Sequence, residues 1–228
     1  MINLNEVNKP PEKRIKQRNF VDKLIERPVE MLISLNVSPN ILSLIGFLLI
    51  LSASMLIFFG FIHKNLLLAW IPPFLVFMAG AFDIFDGEVA RRTNQDGSVG
   101  AFLDSNVDRI SDAVIILGLI YSNLMGYISG LIILFLSLMI SYTRSRAEAL
   151  SVNMKGIGLM ERAERLILTI VGLTIEVWIY RISIWILGSP ITIFQFFFIP
   201  IYILLLAFTV GQRFYYTYKV LNNKNEEI

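Results

Sequence analysis

The chain of 228 residues contains no cysteine and only one histidine, His63. The lack of cysteine excludes a disulfide scaffold, and together with a single histidine it argues against a zinc site of the usual Cys/His kind. Any bound metal must therefore have oxygen ligands. An excess of one charge is also missing, because 20 basic residues nearly balance 18 acidic ones. We expect no nucleic-acid partner, and the positions of the charges are more informative than their sum.

Apolar residues, in contrast, are abundant. They make up 55% of the chain, and the mean hydropathy is +0.65, whereas soluble chains average about 45–50% apolar residues. The composition predicts an integral membrane protein. A spanning helix needs about 20 largely apolar residues. Six segments are predicted to span, near residues 40–62, 66–92, 98–122, 126–150, 161–183 and 191–218.

The segment before the first span has a different pattern. Residues 19–35 alternate apolar and charged positions in a way that favours a helix lying in the membrane interface. The sequence "VSPN" at 37–40 then predicts a turn and a helix start. Pro72 and Pro73 predict a kink or break early in the second span. We therefore expect an all-α membrane protein with an N-terminal segment (1–36), a six-helix transmembrane domain (37–220) and a tail (221–228).

The basic residues predict the orientation in the membrane. Six spans place both termini on one side, and among the loops and helix ends only Lys64 and Arg181 fall on the other side. Lysine and arginine are enriched on the cytoplasmic side of membrane proteins. We therefore expect both termini and both charged loops to be cytoplasmic.

Residues 83–112 contain an unusual number of acids for this composition, namely Asp83, Asp86, Asp96, Asp104, Asp108 and Asp112. Only nine apolar residues separate Asp112 from Ser122, so the third span must begin near residue 98 to reach the required length. Asp104, Asp108 and Asp112 then lie inside the spanning helix, and their spacing of four puts them on one face. Asp83 and Asp86 lie one turn apart at the end of the second span. Two acidic faces should meet at the cytoplasmic end.

Such a cluster needs a cation. A carboxylate at membrane depth costs about 3 kcal/mol on insertion scales, and several carboxylates repel one another. Arg91 and Arg109 can supply positive charge, but divalent ions fit better. Gly87, Ala90 and Gly100 are small enough to leave room beside the carboxylates for a bulky group.

These residues form the pattern D-x-x-D-G-x-x-A-R, eight residues, G-x-x-x-D-x-x-x-D. The chain has every specified position, at Asp83, Asp86, Gly87, Ala90, Arg91, Gly100, Asp104 and Asp108. The pattern resembles the signature of the CDP-alcohol phosphatidyltransferases. Six spans preceded by an interfacial helix, the "SPN" turn and cytoplasmic termini are also similar to that family.

The resemblance implies that residues 37–220 form a catalytic domain that transfers a phosphatidyl-type group from a CDP-linked lipid to a hydroxyl, releasing CMP. It implies that Asp83, Asp86, Asp104 and Asp108 hold two Mg²⁺ or Mn²⁺ ions, which suit oxygen ligands. Asp108 is also the expected general base. The expected CDP-lipid-binding residues are Gly87, Ala90, Arg91 and Gly100. A homodimer in the cell membrane, in contact with membrane lipids, is expected from the family as well.

Five arginines give a hypothesis for the acceptor. They are Arg144 and Arg146 at the end of span four, Arg162 and Arg165 at the start of span five, and Arg213 in span six. If they converge, they form a pocket for an anion. The surrounding stretches resemble the family branch that makes phosphatidylinositol phosphate or archaetidylinositol phosphate. That branch uses inositol 1-phosphate as the acceptor, with CDP-diacylglycerol or CDP-archaeol as the donor.

Alternatives remain at this point. Glycerol 3-phosphate or serine can serve as the acceptor in related synthases. A cation or proton transporter would also place acids inside spans, although it would be expected to have them near mid-membrane and in repeated halves. Outside the motif, His63 is predicted to be polar surface in an outer loop, and Glu176 is predicted to pair with Arg181.

Overall fold

A computed structural model describes residues 25–95 and 97–226, and this part of the chain contains helices and loops but no β-strand. The all-α prediction is confirmed. The helices are α1 (residues 25–34), α2 (Pro39–Phe58), α3 (Leu66–Ala69), α4 (Ile71–Arg92), α5 (Ser98–Tyr121), α6 (Tyr127–Ala149), α7 (Arg162–Leu187) and α8 (Ile199–Glu226), with a 3₁₀ turn at Phe61–His63 and a π-helical turn at Phe194–Phe198.

Five helical segments are long and apolar enough to cross a membrane: Pro39–Phe58, Leu66–Arg92, Tyr127–Ala149, Arg162–Leu187 and Phe194–Asn223. Helix α5 has 24 residues, which is sufficient length, but four of its side chains are charged: Asp104, Asp108, Arg109 and Asp112. The protein is therefore an integral membrane protein, and the count of six spans remains a prediction that depends on α5.

The helix boundaries follow the proline signals. Helix α2 begins at Pro39, directly after the extended residue Ser38. The second predicted span is interrupted at Trp70, and Pro72 and Pro73 lie in the first turn of α4. Proline is tolerated there because the first-turn amides have no partner within the helix. At the other end of the chain, α8 continues to Glu226, beyond the predicted limit at residue 218.

Helix α1 covers part of the predicted interfacial helix, of which residues 19–24 lie outside the described residues, as does Asp96. Its apolar side chains Ile25 and Val29 are buried against Leu42 of α2 and Val89 of α4. Since Leu42 lies near the start of α2 and Val89 near the end of α4, α1 packs across one end of the bundle. We call this end, where α4 finishes and α5 begins, the site end.

The main core lies in the middle of the bundle. Every long helix contributes to it, with Ile50, Val76, Leu119, Ile133, Leu173 and Leu206 as fully buried examples. Helix α5 packs closely on α2, because the Ser54 hydroxyl donates to the Val114 carbonyl at 2.6 Å. A β-carbon on Gly118 would lie 2.8 Å from the Ser54 carbonyl oxygen. The charged helix α5 is thus held against α2.

Candidate active site

The signature aspartates come together at the site end. Asp83 of α4 and Asp104 and Asp108 of α5 each offer a carboxylate oxygen, and these oxygens all lie within 4.8 Å of one another. Asp86 lies with them, since all four aspartates line one small cavity. Its carboxylate accepts a hydrogen bond of 2.5 Å from the hydroxyl of Ser43. The two acidic faces therefore meet as their helical spacing predicts.

A cation from another helix lies between these carboxylates. The Nη1 atom of Arg162, at the start of α7, contacts Asp83 Oδ1 and lies 2.5 Å from Asp108 Oδ1. The two cations expected from sequence are occupied elsewhere, since Arg91 pairs with Glu88 at 2.6 Å and Arg109 donates to the Ser105 carbonyl. Arg91 and Arg109 were candidate counter-ions because they are close to the aspartates in sequence. The counter-ion in the structure is Arg162, which the packing of α7 beside α4 brings to the cluster.

The aspartate cluster fits a divalent metal ion. Its ligand atoms are all carboxylate oxygens, which suit Mg²⁺ and Mn²⁺ rather than softer ions. The buried Asp108 Oδ1 lies 2.5 Å from Arg162 Nη1 but accepts no hydrogen bond of good geometry from the described residues, so part of its coordinating capacity is unused. Asp83 and Asp104 are only partly buried, which leaves their oxygens accessible from the neighbouring cavities.

A cavity of about 420 Å³ lies on one side of the aspartates. We call it the small-residue cavity, because Gly87, Ala90, Gly97, Gly100 and Ala101 line it together with Asp86, Asp104 and Arg91. All four residues predicted to bind the CDP-lipid are among them. A β-carbon on Gly87 would have Arg91 Nη1 as a neighbour at 3.6 Å, so the absence of a side chain leaves the helix backbone open to a ligand.

A second cavity of about 420 Å³ lies on the other side and shares Asp104 with the first. We call it the arginine cavity, because Arg109, Arg144, Arg162, Arg165 and Arg213 line it. Asp108 lines it too. Four of the five predicted acceptor-binding arginines thus converge. The fifth, Arg146, is exposed and lines neither cavity, since residues two apart on a helix point to nearly opposite sides.

Sequence reasoning missed several lining residues, of which two are informative. Arg109 was considered only as a counter-ion, and Ser43, the partner of Asp86, was not considered. A signal existed for Arg109, because it follows Ala101 and Ser105 at helical spacing along the face that lines the arginine cavity. Ser43 is one polar residue in an apolar span, and no spacing rule connects it to Asp86.

The arginines of this cavity differ in how they are held. Arg165 Nη2 donates to Asp112 at 2.6 Å, and Arg144 Nε donates to Glu148 at 3.0 Å. Arg213 is only 2% exposed and donates to two backbone carbonyls, that of Ile157 at 2.9 Å and that of Ile140. Among the described residues no carboxylate forms an ion pair with Arg213.

Gly158 explains how the backbone closes around Arg213. Its φ is +116°, and a β-carbon there would lie 3.0 Å from Arg213 Nε. Glycine is the residue that adopts this conformation without strain. The α6–α7 loop therefore approaches the guanidinium with its backbone, and Arg213 is fixed in the arginine cavity by carbonyl dipoles instead of an opposite charge.

The sequence matches the family model of the CDP-alcohol phosphatidyltransferases over residues 36–218. The chain belongs to this family. It is 37% identical to the archaetidylinositol phosphate synthase of Pyrococcus horikoshii over 173 residues, which cover 74% of this chain and 88% of the relative. It is 31% identical to the phosphatidylinositol phosphate synthase of Corynebacterium glutamicum over 185 residues, which cover 75% of this chain and 81% of the relative. The chain is thus a transferase.

The fold agrees with this family assignment. The crystal structure of the phosphatidylinositol phosphate synthase of Mycobacterium tuberculosis, in complex with manganese and citrate, matches with a TM-score of 0.66 and 25% identity, covering 84% of this chain and 88% of that one. The resemblance inferred from the signature is confirmed. The aspartate cluster, the family and the manganese bound in the M. tuberculosis structure together support the use of a divalent metal by this chain.

At the opposite end of the bundle, two predictions are wrong. Glu176 is completely buried and pairs with His63, whose Nε2 lies 3.0 Å from Glu176 Oε1. Its other oxygen accepts from the backbone amides of Ile193 and Phe194, each at 3.0 Å. The His63 ring also stacks on the Tyr180 ring, with the two ring centroids 4.1 Å apart. Arg181 is therefore not the partner of Glu176, and His63 is more than polar surface.

Proposed function

We propose that this CDP-alcohol phosphatidyltransferase transfers a phosphatidyl or archaetidyl group from a CDP-linked lipid to inositol 1-phosphate, releasing CMP. The observation behind the proposal is the position of the aspartates between two cavities of equal volume. One cavity is lined by small residues beside the signature, and the other by five arginines. The P. horikoshii and C. glutamicum relatives, archaetidylinositol and phosphatidylinositol phosphate synthases, support the same substrate class.

Asp83, Asp86, Asp104 and Asp108 would hold the metal, which we propose to be two Mg²⁺ or Mn²⁺ ions. Bound there, the ions would neutralise charge on the pyrophosphate and stabilise the attacking and leaving oxygens. Ser43 fixes the Asp86 carboxylate by its hydrogen bond of 2.5 Å. Arg162 contacts both helices of the cluster through Asp83 and Asp108, and it limits the repulsion between the carboxylates.

The donor would occupy the small-residue cavity. Gly87, Ala90 and Gly100 allow its nucleotide to approach the backbones of α4 and α5, and Arg91 lines the same cavity. The acceptor would occupy the arginine cavity, with the reacting hydroxyl toward Asp108, which lines that cavity beside Asp104. The two substrates would thus meet at the aspartates from opposite sides, and this arrangement fixes their relative orientation.

Asp108 is the proposed general base. Its carboxylate takes the proton from the acceptor hydroxyl as the new oxygen–phosphorus bond forms and the bond from that phosphorus to the CMP oxygen breaks. Positioned proton transfer of this kind contributes about 10²–10⁴-fold to a rate. Arg162 Nη1, 2.5 Å from Asp108 Oδ1, orients the carboxylate.

The arginines favour a phosphorylated acceptor. A guanidinium binds phosphate through two parallel hydrogen bonds, and Arg213 has no carboxylate partner among the described residues to neutralise it. Serine has no phosphate to satisfy this charge, so glycerol 3-phosphate is the nearer alternative. A cation or proton transporter is set aside because the family is one of transferases.

Orientation and assembly complete the proposal. By the positive-inside rule, the site end and both termini would face the cytoplasm. The donor would be CDP-archaeol or CDP-diacylglycerol, and the protein would form a homodimer, as the family resemblance implies.

The test is a panel of acceptors with purified protein. Inositol 1-phosphate, inositol, glycerol 3-phosphate and serine are each combined with CDP-archaeol or CDP-diacylglycerol in the presence of Mg²⁺ or Mn²⁺, and CMP release and the lipid product are measured. We expect product with inositol 1-phosphate and little with unphosphorylated inositol. Faster transfer to glycerol 3-phosphate or serine would show that the acceptor is wrong while leaving the transferase class intact.

A further inference from the structure

Asp112 lies one turn beyond Asp108 on α5 and has no part in the mechanism above. It is 8% exposed, and its Oδ2 accepts a 2.6 Å hydrogen bond from Nη2 of Arg165, which is 5% exposed. Asp112 lines neither the small-residue cavity nor the arginine cavity. It lines an inner cavity below them, together with Ser137, Thr169 and Arg165. Arg165 lines both the inner cavity and the arginine cavity.

The other nitrogen atoms of Arg165 are weakly occupied. Nη1 lies 3.4 Å from the Met160 carbonyl, which is long for a hydrogen bond. Nε is buried and has no hydrogen-bond partner among the described residues. Among the described residues, Asp112 therefore provides the one short contact to the Arg165 guanidinium, and the weakly held Nη1 leaves donor capacity for a ligand in the arginine cavity.

Stability alone does not account for this pair. A buried ion pair is often no more stabilising than apolar side chains of similar volume, and here it lies in the transmembrane bundle. Orientation is a better explanation, because a long arginine side chain loses rotamer entropy when a ligand immobilises it. A guanidinium held in place before the ligand arrives avoids most of that cost.

We propose that Asp112 is a positioning residue, whose carboxylate holds the Arg165 guanidinium at the arginine cavity to receive the phosphate of the acceptor. This inference rests on the proposed function, since it needs a phosphorylated acceptor in that cavity. It also assigns different roles to two arginines. Arg165 is oriented by a carboxylate, whereas Arg213 is oriented by carbonyl oxygens.

A purely neutralising role of Asp112 predicts the opposite change in the KM for inositol 1-phosphate. If Asp112 only neutralises Arg165, then its removal frees a positive charge and strengthens the binding of an anion. In that case Asp112→Asn would lower the KM for inositol 1-phosphate. If Asp112 positions Arg165, the same substitution raises that KM, because the amide oxygen gives a weaker hydrogen bond than the carboxylate does. The sign of the change decides.

The experiment measures kcat and both KM values for wild type, Asp112→Asn and Asp112→Leu in the purified full-length protein. We expect the KM for inositol 1-phosphate to rise about fivefold in Asp112→Asn and about 10- to 100-fold in Asp112→Leu, since the amide keeps a weaker hydrogen bond to Arg165 whereas leucine removes it. The KM for the CDP-lipid should stay near the wild-type value. An unchanged or lower KM for inositol 1-phosphate in Asp112→Asn would overturn the proposal.

A double-mutant cycle separates positioning from a structural role. In an Arg165→Met background, Asp112→Asn should not raise the KM further, because the group that it positions is gone. An additional rise in that background would overturn the proposal. Glu176→Gln is the matched control, since it makes the same carboxylate-to-amide change in a buried residue at the opposite end of the bundle, and it should leave both KM values unchanged.

The same measurements distinguish an error in the positioning role of Asp112 from an error in the proposed acceptor. If the wild type transfers to inositol 1-phosphate and the Asp112→Asn KM is unchanged, only the positioning role is wrong. If the wild type instead prefers glycerol 3-phosphate, the proposed acceptor is wrong, and the cycle is repeated with that phosphorylated substrate. If it prefers serine, both proposals are wrong.

Discussion

The two ends of the bundle both bury carboxylates, but they do so in different ways. At the end opposite the site end, the two oxygens of Glu176 have three partners, namely His63 and the amides of Ile193 and Phe194. At the site end Arg162 contacts Asp83 and Asp108, and two cavities are lined by Asp86, Asp104 and Asp108. A fully satisfied buried charge fixes the positions of segments, whereas carboxylates that retain coordinating capacity beside a cavity can take part in chemistry.

The strongest way to test this comparison is to remove the metal. Several carboxylates within a few ångströms repel one another, and the reaction needs a cation to neutralise the pyrophosphate. We expect chelation with EDTA to abolish CMP release and added Mg²⁺ or Mn²⁺ to restore it. Asp83→Asn and Asp104→Asn should abolish turnover as well. Full activity in EDTA would contradict the metal-dependent mechanism.

Asp108 should have a smaller but still large effect. We expect Asp108→Asn to reduce kcat by about 10²-fold or more, because positioned proton transfer contributes at least that much. The variant should still bind the CDP-lipid, measured by direct titration in the presence of metal. Near-normal turnover would show that Asp108 is not the base. Loss of CDP-lipid binding together with turnover would indicate that Asp108 acts mainly as a metal ligand.

Much of the site end could be predicted from the sequence because its residues are local. Asp83 and Asp86 share one helix, Asp104 and Asp108 share the next, and a short loop joins the two. Helical spacing then determines which side chains face one another. The start of α2 at Pro39 and the break at Trp70 could be predicted for the same reason, since proline acts on its immediate neighbours.

Contacts between segments distant in sequence could not be predicted in this way. Arg162 is 79 residues from Asp83, and His63 is 113 residues from Glu176. Spacing within a helix favoured Arg181 as the partner of Glu176, but α7 turns the carboxylate toward two loops instead. Convergence of the arginines was a hypothesis from charge alone, and Arg146 shows its weakness, since position on α6 and not charge decides which side chain lines the cavity.

Arg213 sharpens the contrast among the charges of the site end. Replacing Arg213 with Ala should raise the KM for inositol 1-phosphate about tenfold or more, since a charge-assisted hydrogen bond contributes about 1.5–3 kcal/mol. Arg213→Lys should rescue only partly, because lysine lacks the planar fork. The KM for the CDP-lipid should change much less. Exposed Arg146 provides the control, and Arg146→Ala should leave both KM values at wild-type levels.

The smallest expected effect is at Glu176, where stability and not activity should change. In Glu176→Gln the amide oxygen can accept from Ile193 and Phe194 while the amide nitrogen donates to His63, whose Nε2 accepts in one neutral tautomer. The network is nearly conserved, so we expect the free energy of unfolding in detergent to fall by only about 1 kcal/mol. Glu176→Leu leaves all three donors without a partner and should cost about 3 kcal/mol or more.

Both variants should keep wild-type kcat and KM below their unfolding temperature. A raised KM in Glu176→Gln at unchanged stability would show instead that the end opposite the site end is coupled to the aspartates. The division of the molecule into a structural end and a chemical end would then be wrong.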